Sequence, residues 1–356
     1  FTPSCIRFSS AGSGYRVSQS DDNTNGSRLA AAIERNWYRS AFANFWLLPL
    51  WLVVAVVVFV RRQRFRLRPP APAAVPVLIV GNLTVGGTGK TPLILLLLAR
   101  ARALGLKAAV ISRGYGGHSE HWPLTVSAET EPSACGDEPK LIHSRTGAAV
   151  VVDPRRARAA AQVPADCDII LSDDGLQHYA LARSAELVVM DGERGLGNGW
   201  LLPVGPLREP ASRLKQVDQV LVNGQDFRVQ PTALVNALTG EQRPLDSFSG
   251  QRVWAVSGIG NPQRFYRSLT AIGAEPDLVR FADHHAFTAA DFDFAQSSSQ
   301  AVVMTEKDWV KCRTFAQPHW WYLQVDAVPE PYIQEQLDAL LVRLAGSSRK
   351  AGNKHG

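Results

Sequence analysis

Cysteine is scarce and scattered in this 356-residue chain: Cys5, Cys135, Cys167 and Cys312 include no Cys-x-x-Cys pair. That spacing excludes a zinc site and a disulfide framework and suits a reducing compartment. Methionine is scarcer still, at Met190 and Met304, and the chain opens on Phe1. The printed start therefore reads as a fragment or a misassigned frame. Residues 1 to 28, rich in Ser, Gly, Asn and Asp and without apolar periodicity, read as a leader with no function of its own. There is no internal repeat, and no helix-turn-helix, RNA-binding signature or aromatic-basic stripe, so nucleic acid is not an expected partner. Acidic residues are in deficit, 32 Asp+Glu against 38 Lys+Arg, for a formal charge of +6. That balance suits an anionic partner such as a nucleotide or a phospholipid surface. With 46% hydrophobic and 20% charged residues, most of the chain can bury a core, and its length fits two domains.

Charge is missing altogether from Ala41 to Val60, AFANFWLLPLWLVVAVVVFV. This run is about the length needed to cross a roughly 30 Å hydrocarbon layer. Pro49 and Asn44 weaken a full span, and Ala71-Pro72-Ala73 superficially resembles a signal cleavage site. The basic run RRQRFRLR that follows, with Arg61, Arg62, Arg64, Arg66 and Arg68, reads as a stop-transfer flank facing the cytoplasm. A membrane anchor is expected, a single span being favoured over an in-plane helix, and the basic run can hold anionic phospholipid.

After the proline-rich linker LRPPAPAA comes VPVLIVGNLTVGGTGKTPLILLLLARARAL, which reads as strand, loop and helix. Val75 to Val80 are a β-rich apolar run and Lys90 to Leu104 a leucine-rich helical one. Between them Gly86, Gly87 and Gly89 let backbone N–H groups converge on phosphate oxygens, with the helix presenting its positive end. Thr84, Val85, Gly86, Gly87, Thr88, Gly89, Lys90 and Thr91 form the expected nucleotide cradle, Lys90 on the β- and γ-phosphates and Thr91 on Mg²⁺. Thr84 stands where the P-loop pattern has its first glycine, so a variant P-loop is expected. Further apolar runs at 107–112, 149–153, 168–172 and 186–191 imply a parallel doubly wound sheet. Ligands bind beyond the carboxyl ends of such strands. Asp173 and Asp174 follow one of those ends, in DIILSDDG, and can serve Mg²⁺ or merely form a turn.

The segments VGNLTVGGTGKTP, VISRGYGG, GDEP, SDDGLQHYAL, GNGWLLPVGPLREP, FADHHAF and MTEKDWVKC resemble, in this order, those of the tetraacyldisaccharide 4′-kinase (lipid A 4′-kinase) family of Gram-negative bacteria. The likeness runs from about Trp37 to Leu344. It implies transfer of the ATP γ-phosphoryl group, with Mg²⁺, to the 4′-hydroxyl of a tetraacylated disaccharide 1-phosphate, the lipid A precursor, at the cytoplasmic face of the inner membrane. It also implies that Asp137 of GDEP activates the acceptor hydroxyl with His284 of FADHHAF as its partner, His285 being the neighbouring alternative. Lys90 completes the implied catalytic set. Asp173, Asp174 and Glu209 resemble metal-associated carboxylates, and Arg208 resembles a phosphate-side cation. Arg113, Tyr115 and His178 resemble acceptor-binding residues. No obligate protein partner is inferred. The competing reading is a membrane-associated P-loop NTPase acting as a conformational switch, which does not need RGYGG, GDEP and FADHH together.

From Val217 onward the pattern restarts with QVLVNG, RVWAVSGIGNP, a helix at 263–272, AVVMTEKD, WWYLQVDA and a terminal helix at 332–344. The expected architecture is thus α/β: residues 1–36 a disordered or spurious leader, 37–68 the anchoring helix and basic flank, 69–216 a variant P-loop kinase domain with a parallel sheet, 217–346 a smaller α/β domain, and 347–356 a frayed tail. TEKD reads as a strand-end turn, and closure of the two domains is expected to carry His284 toward Asp137.

Overall fold

The computed structural model describes residues 25–39, 42–295 and 299–352. The first half runs through α1 (Asn25–Trp37), a 3₁₀ turn, α2 (Leu48–Leu67), β1 (Val77–Gly81), α3 (Lys90–Ala103), β2 (Ala108–Ser112), β3 (Leu124–Thr125), α4 (Pro132–Cys135), α5 (Asp137–Thr146), β4 (Val150–Val152), α6 (Arg156–Ala161), β5 (Ile169–Asp173), β6 (Ala185–Asp191) and β7 (Gln219–Asn223). The second half comprises β8 (Phe227–Asn236), β9 (Gln242–Arg243), β10 (Arg252–Ser257), α7 (Pro262–Ala271), β11 (Glu275–Arg280), β12 (Val302–Thr305), α8 (Glu306–Cys312), β13 (Trp320–Pro329) and α9 (Pro331–Gly352).

β1 is buried along its whole length, as a strand covered on both faces must be, and its continuous apolar run VLIVG meets that demand. It pairs in parallel with β5 on one side and β6 on the other. The described strands form one sheet in the order β11-β10-β12-β13-β8-β7-β6-β1-β5-β2-β4-β3, with β9 beside β8. The chain leaves β1 toward β2 on one flank while β6 and β7 lie on the other, so a crevice opens at the carboxyl end of β1. The fold is the expected mixed α/β architecture with a mainly parallel sheet.

Three expected boundaries move. Residues 25–36, assigned above to the leader, form most of α1; Trp37 at its end donates from Nε1 to the carbonyl of Pro203 at 3.0 Å. Residues 1–24 of that leader lie outside the described residues. β7, assigned to the second domain, pairs with β6 from Leu187↔Gln219 to Asp191↔Asn223 and belongs to the first half. The last helix also returns to the first half. Leu337, Leu340, Leu341 and Leu344 of α9 recur at helical spacing and enter the core that holds Leu93 and Leu97 of α3, and Arg100 of α3 makes two hydrogen bonds to Asp338, at 2.9 and 2.6 Å. α9 runs on to Gly352, past the expected tail boundary. The junction between the halves is the long antiparallel ribbon of β8 and β13, paired from Phe227↔Pro329 to Asn236↔Trp321.

α2 is long and apolar enough to cross a membrane, yet one face is docked on the body. Trp51 and Ala55 pack against the core that holds Leu201 and Leu207, the Trp51 ring meets Trp200 at 5.2 Å, Arg62 donates to Gln216 at 2.7 Å and Phe65 stacks on Tyr179. Those positions are spaced for one helical stripe. The opposite face carries Leu52, Val53, Val56, Val57, Phe59 and Val60, each more than half exposed.

Candidate active site

The loop between β1 and α3 is organised from below by Asn82, fully buried. Its Nδ2 donates to the carbonyl of Thr84 at 2.7 Å and of Gly86 at 3.3 Å, and its Oδ1 accepts from Lys90 Nζ at 3.1 Å. Positive φ among the described non-glycine residues is confined to Asp174 and His284. The backbone at position 84 thus makes no demand for glycine, which is why threonine is accommodated there. Gly89 differs: its φ is 99°, and an added Cβ would lie 3.1 Å from Asn223 Nδ2 and 3.2 Å from Val229 Cγ2, so both conformation and space require glycine. Asn223 at the end of β7 donates to the Thr88 carbonyl at 3.3 Å, and Val85 N–H donates to the Pro206 carbonyl at 2.9 Å. A loop so pinned presents its backbone donors ahead of the α3 N-terminus, a cradle for anionic oxygens.

The Asp173–Asp174 turn stands beside it. Lys90 Nζ lies 3.5 Å from Asp174 Oδ1, and Arg208 NH1 lies 2.9 Å from Asp174 Oδ2. Burial opposes ionisation of Asp174, but these two cations hold its carboxyl below the usual range. Asp173 accepts from the Ser112 hydroxyl at 3.3 Å, and the Lys90 and Arg156 charges favour its ionised form less than its surroundings oppose it. Burial above all, then the neighbouring Glu138 and Asp174 charges, pushes it up to about 7. Asp174 is held at φ 47°, a strained conformation for a residue with a Cβ. Arg156, also buried, fixes the turn by donating to the carbonyls of Asp173 at 2.8 Å and Asp174 at 3.3 Å. Sequence reasoning missed Arg156 and Asn82. DPRRARAA reads as an ordinary surface helix, and nothing in the local pattern marks which arginine turns inward.

Buried oxygens without a hydrogen-bond partner here include Asp173 Oδ1, Asp174 Oδ1 and Thr88 Oγ1. With the buried Thr91 on the first turn of α3, they are hard oxygen donors of the kind Mg²⁺ takes. Among the described residues no group of three His, Cys, Asp or Glu can hold a metal by itself. Glu209 Oε1 is another such buried oxygen without a hydrogen-bond partner, while its Oε2 accepts from the Tyr179 hydroxyl and faces Arg213 Nε at 3.4 Å.

Asp137 opens α5, and His284 comes from the loop after β11. Their side chains meet across the two halves, His284 Nδ1 to Asp137 Oδ2 at 3.0 Å. His284 has φ 59°, the second strained residue, and its ring lies 5.4 Å from that of Tyr115. His285 points elsewhere: it meets Asp291 at 3.2 Å and stacks on Phe281. TEKD is not a turn but the start of α8, capped by Thr305, whose hydroxyl accepts from Asp308 N–H. From α8, Lys307 pairs with Glu138, and this ammonium holds the Glu138 carboxyl below its usual range despite burial. Lys307 was left out by sequence reasoning because its partner is 169 residues away.

The same interface carries Arg145 of α5, which lies 3.0 Å from Glu306 of α8 and also pairs with Asp326. Burial outweighs the arginine and raises Glu306 to about 7. A carboxyl raised on folding binds protons that the unfolded chain has released, so its contribution to stability is lost as pH rises from about 4.5 through about 7. Glu306→Gln should therefore gain melting temperature relative to the unsubstituted chain as pH is raised from 5 to 8. A difference that stays flat across that range would refute this reading of Glu306.

The acceptor-side candidates are grouped but unequal. Tyr115 is 72% exposed. His178, half-buried, is lowered to about 4, first by burial and then by the charges of Arg156, Arg61, Arg183 and Arg113. A neutral imidazole among four guanidinium groups marks a basin of positive potential, suited to an anionic ligand. Three of those arginines, Arg156, Arg61 and Arg183, were not among the expected site residues.

The family model described as Tetraacyldisaccharide-1-P 4′-kinase matches residues 43–342. A tetraacyldisaccharide 4′-kinase of Pseudomonas aeruginosa is 49% identical over 330 residues, covering 89% of this chain and 98% of its own. One from Pseudomonas putida is 50% identical over 330 residues, covering 89% and 97%, and one from Azotobacter vinelandii is 49% identical over 334 residues, covering 90% and 99%. A crystal structure of LpxK from Aquifex aeolicus in complex with ATP shares the fold, with a TM-score of 0.73 at 24% identity, covering 85% of this chain and 99% of that one.

Proposed function

The chain belongs to the tetraacyldisaccharide-1-P 4′-kinase family, and from that premise we infer that it is an ATP-dependent kinase of lipid A biosynthesis, phosphorylating the 4′-hydroxyl of a tetraacyldisaccharide 1-phosphate. The observation that best supports this reading at the level of residues is the Asp137–His284 contact made across the two halves, next to Glu138, whose carboxyl feels the Lys90 and Asp174 charges. In the reaction the acceptor oxygen forms a bond to the γ-phosphorus, the bond from that phosphorus to the β–γ bridging oxygen breaks, and ADP leaves. Asp137 takes the hydroxyl proton, and His284 orients the carboxylate and shares that proton. The backbone from Gly86 to Gly89 and the Lys90 ammonium hold the transferring phosphates. Thr91, Asp173 and Asp174 would hold Mg²⁺, which would supply charge neutralisation when bound. Arg113, Arg208 and the basin around His178 receive the anionic disaccharide, and Tyr115 covers a sugar face.

The apolar α2 is consistent with membrane association. Its docked face extends from Trp51 to Phe65, about 21 Å at 1.5 Å per residue, and lipid cannot surround a helix packed on protein over that length. We propose that α2 lies in one leaflet of the inner membrane on its cytoplasmic side, with Val53, Val56, Val57 and Val60 in the acyl layer and the arginines at phospholipid headgroups. This revises the single span favoured from sequence.

One experiment tests both parts. Purified chain is incubated with γ-labelled ATP, Mg²⁺ and the lipid disaccharide in anionic vesicles. Label should move into lipid, and the protein should float with the vesicles; Val53→Asp with Val57→Asp should abolish flotation. Label released to water instead would favour a switch NTPase and sink the kinase reading. Flotation of the doubly substituted chain would sink the one-leaflet placement.

A further inference from the structure

α8 carries two lysines one turn apart, and they engage consecutive acids at the start of α5: Lys307 meets Glu138, and Lys311 meets Asp137. The second contact reaches the proposed catalytic base. Lys311 Nζ lies 3.7 Å from Asp137 Oδ2, the same oxygen that His284 Nδ1 approaches at 3.0 Å. Both contacts on this carboxylate thus come from the second half of the chain and converge on one of its two oxygens.

Lys311 is itself held on every side. Its side chain is 8% exposed, with Nζ 2.9 Å from Asp308 Oδ1 and 5.0 Å from the centre of the Phe287 ring. Asp308 is fully buried; its Oδ2 accepts from Gly258 N–H at 3.0 Å and from the Thr305 hydroxyl at 2.6 Å. These bonds tie it to the loop after β10 and to the cap of α8. A buried carboxylate needs a counter-charge, and Lys311 provides it. That need alone explains the contact with Asp308. It does not explain why the ammonium also faces a carboxylate on the opposite half, beside His284. An ammonium has three donor hydrogens, so the two contacts do not compete.

We propose that Lys311 is a positioning residue for phosphoryl transfer: anchored by Asp308, it holds Asp137 Oδ2 together with His284 and so fixes the carboxylate's rotation when the two halves meet. A carboxylate with one oxygen hydrogen-bonded by an imidazole at 3.0 Å and faced by an ammonium at 3.7 Å keeps the other oxygen in a set direction, and small misplacements of a reacting group cost up to about 100-fold in rate. The proposal rests on the reading of Asp137 as the base, and the test separates the two.

Turnover of the full chain with γ-labelled ATP and the lipid disaccharide is compared for Lys311→Met, Asp137→Asn and the double variant, with thermal melting of each. Lys311→Met should lower kcat by about 10- to 100-fold, leave KM for both substrates within about 3-fold, and cause no further loss in the Asp137→Asn background, because a residue acting through another is silent once that other is gone. If Lys311→Met melts early, Lys311→Gln, which keeps a donor for Asp308 but is uncharged and one atom too short to hold Asp137, is measured in its place with the same expectation. Unchanged kcat, or a loss that repeats in full in the Asp137→Asn background, overturns the proposal. Near-normal turnover of Asp137→Asn alone would instead remove Asp137 as the base, a distinct failure.

Discussion

Replacing Asp137 by asparagine should reduce kcat for lipid phosphorylation by about 10²- to 10⁴-fold, the range spanned by loss of a positioned general base, while nucleotide affinity changes little. Asparagine preserves size and can still hydrogen-bond to His284 and Lys311, so the effect isolates proton acceptance from packing. Lys90 and the Gly86–Gly89 backbone hold the nucleotide without Asp137, hence the expected separation between binding and turnover. The check is single-turnover transfer of label into lipid alongside equilibrium titration with ADP and Mg²⁺. His284→Ala should cost less than Asp137→Asn, because histidine is assigned to orientation and proton sharing. If the alanine variant proved the more damaged, the imidazole would be the primary base.

What was legible in the sequence was whatever is local. β1, β2, β4 and β5 begin with uninterrupted apolar runs and β6 with one broken only by Glu186, and the glycine-rich loop sits between a strand and a leucine-rich helix, so each announces itself within about ten residues. Asp137 and His284 came from a family resemblance, since a GDE turn and a histidine pair carry no chemistry until they face each other. The misses depend on distance in the chain. Asn82 reads as part of a turn, yet it holds two carbonyls of the loop and the Lys90 ammonium. Arg156 and Arg158 lie two apart on a six-residue helix, and only the fold decides that the first is buried while the second stays half exposed and reaches in to the buried Asp153. The domain boundary was misplaced because β7 and α9 carry apolar patterns that say what they bury but not against which half.

Lys90→Met should have the largest effect, a loss of transfer of at least about 10³-fold, comparable to removing a cation from a transferring phosphoryl group, with the melting temperature close to that of the unsubstituted chain. The two halves of this expectation have separate physical grounds. For catalysis, the Lys90 ammonium sits at the α3 N-terminus behind the glycine loop, and no other cation in the loop can reach the same phosphates; methionine fills the space of the lysine stem and supplies no charge. For stability, Lys90 lies 3.5 Å from Asp174 Oδ1, but Asp174 keeps the closer Arg208 at 2.9 Å, so its carboxylate is not stranded. Asn82 likewise retains its bonds to the Thr84 and Gly86 carbonyls, and the loop stays pinned to Pro206 through Val85. Label transfer into lipid and circular-dichroism melting of the same preparation measure the two halves together. A variant with near-normal transfer would remove Lys90 from the phosphate site, whereas an inactive variant that melts many degrees early would show that the lysine's first duty is to hold the Asn82–Asp174 cluster together.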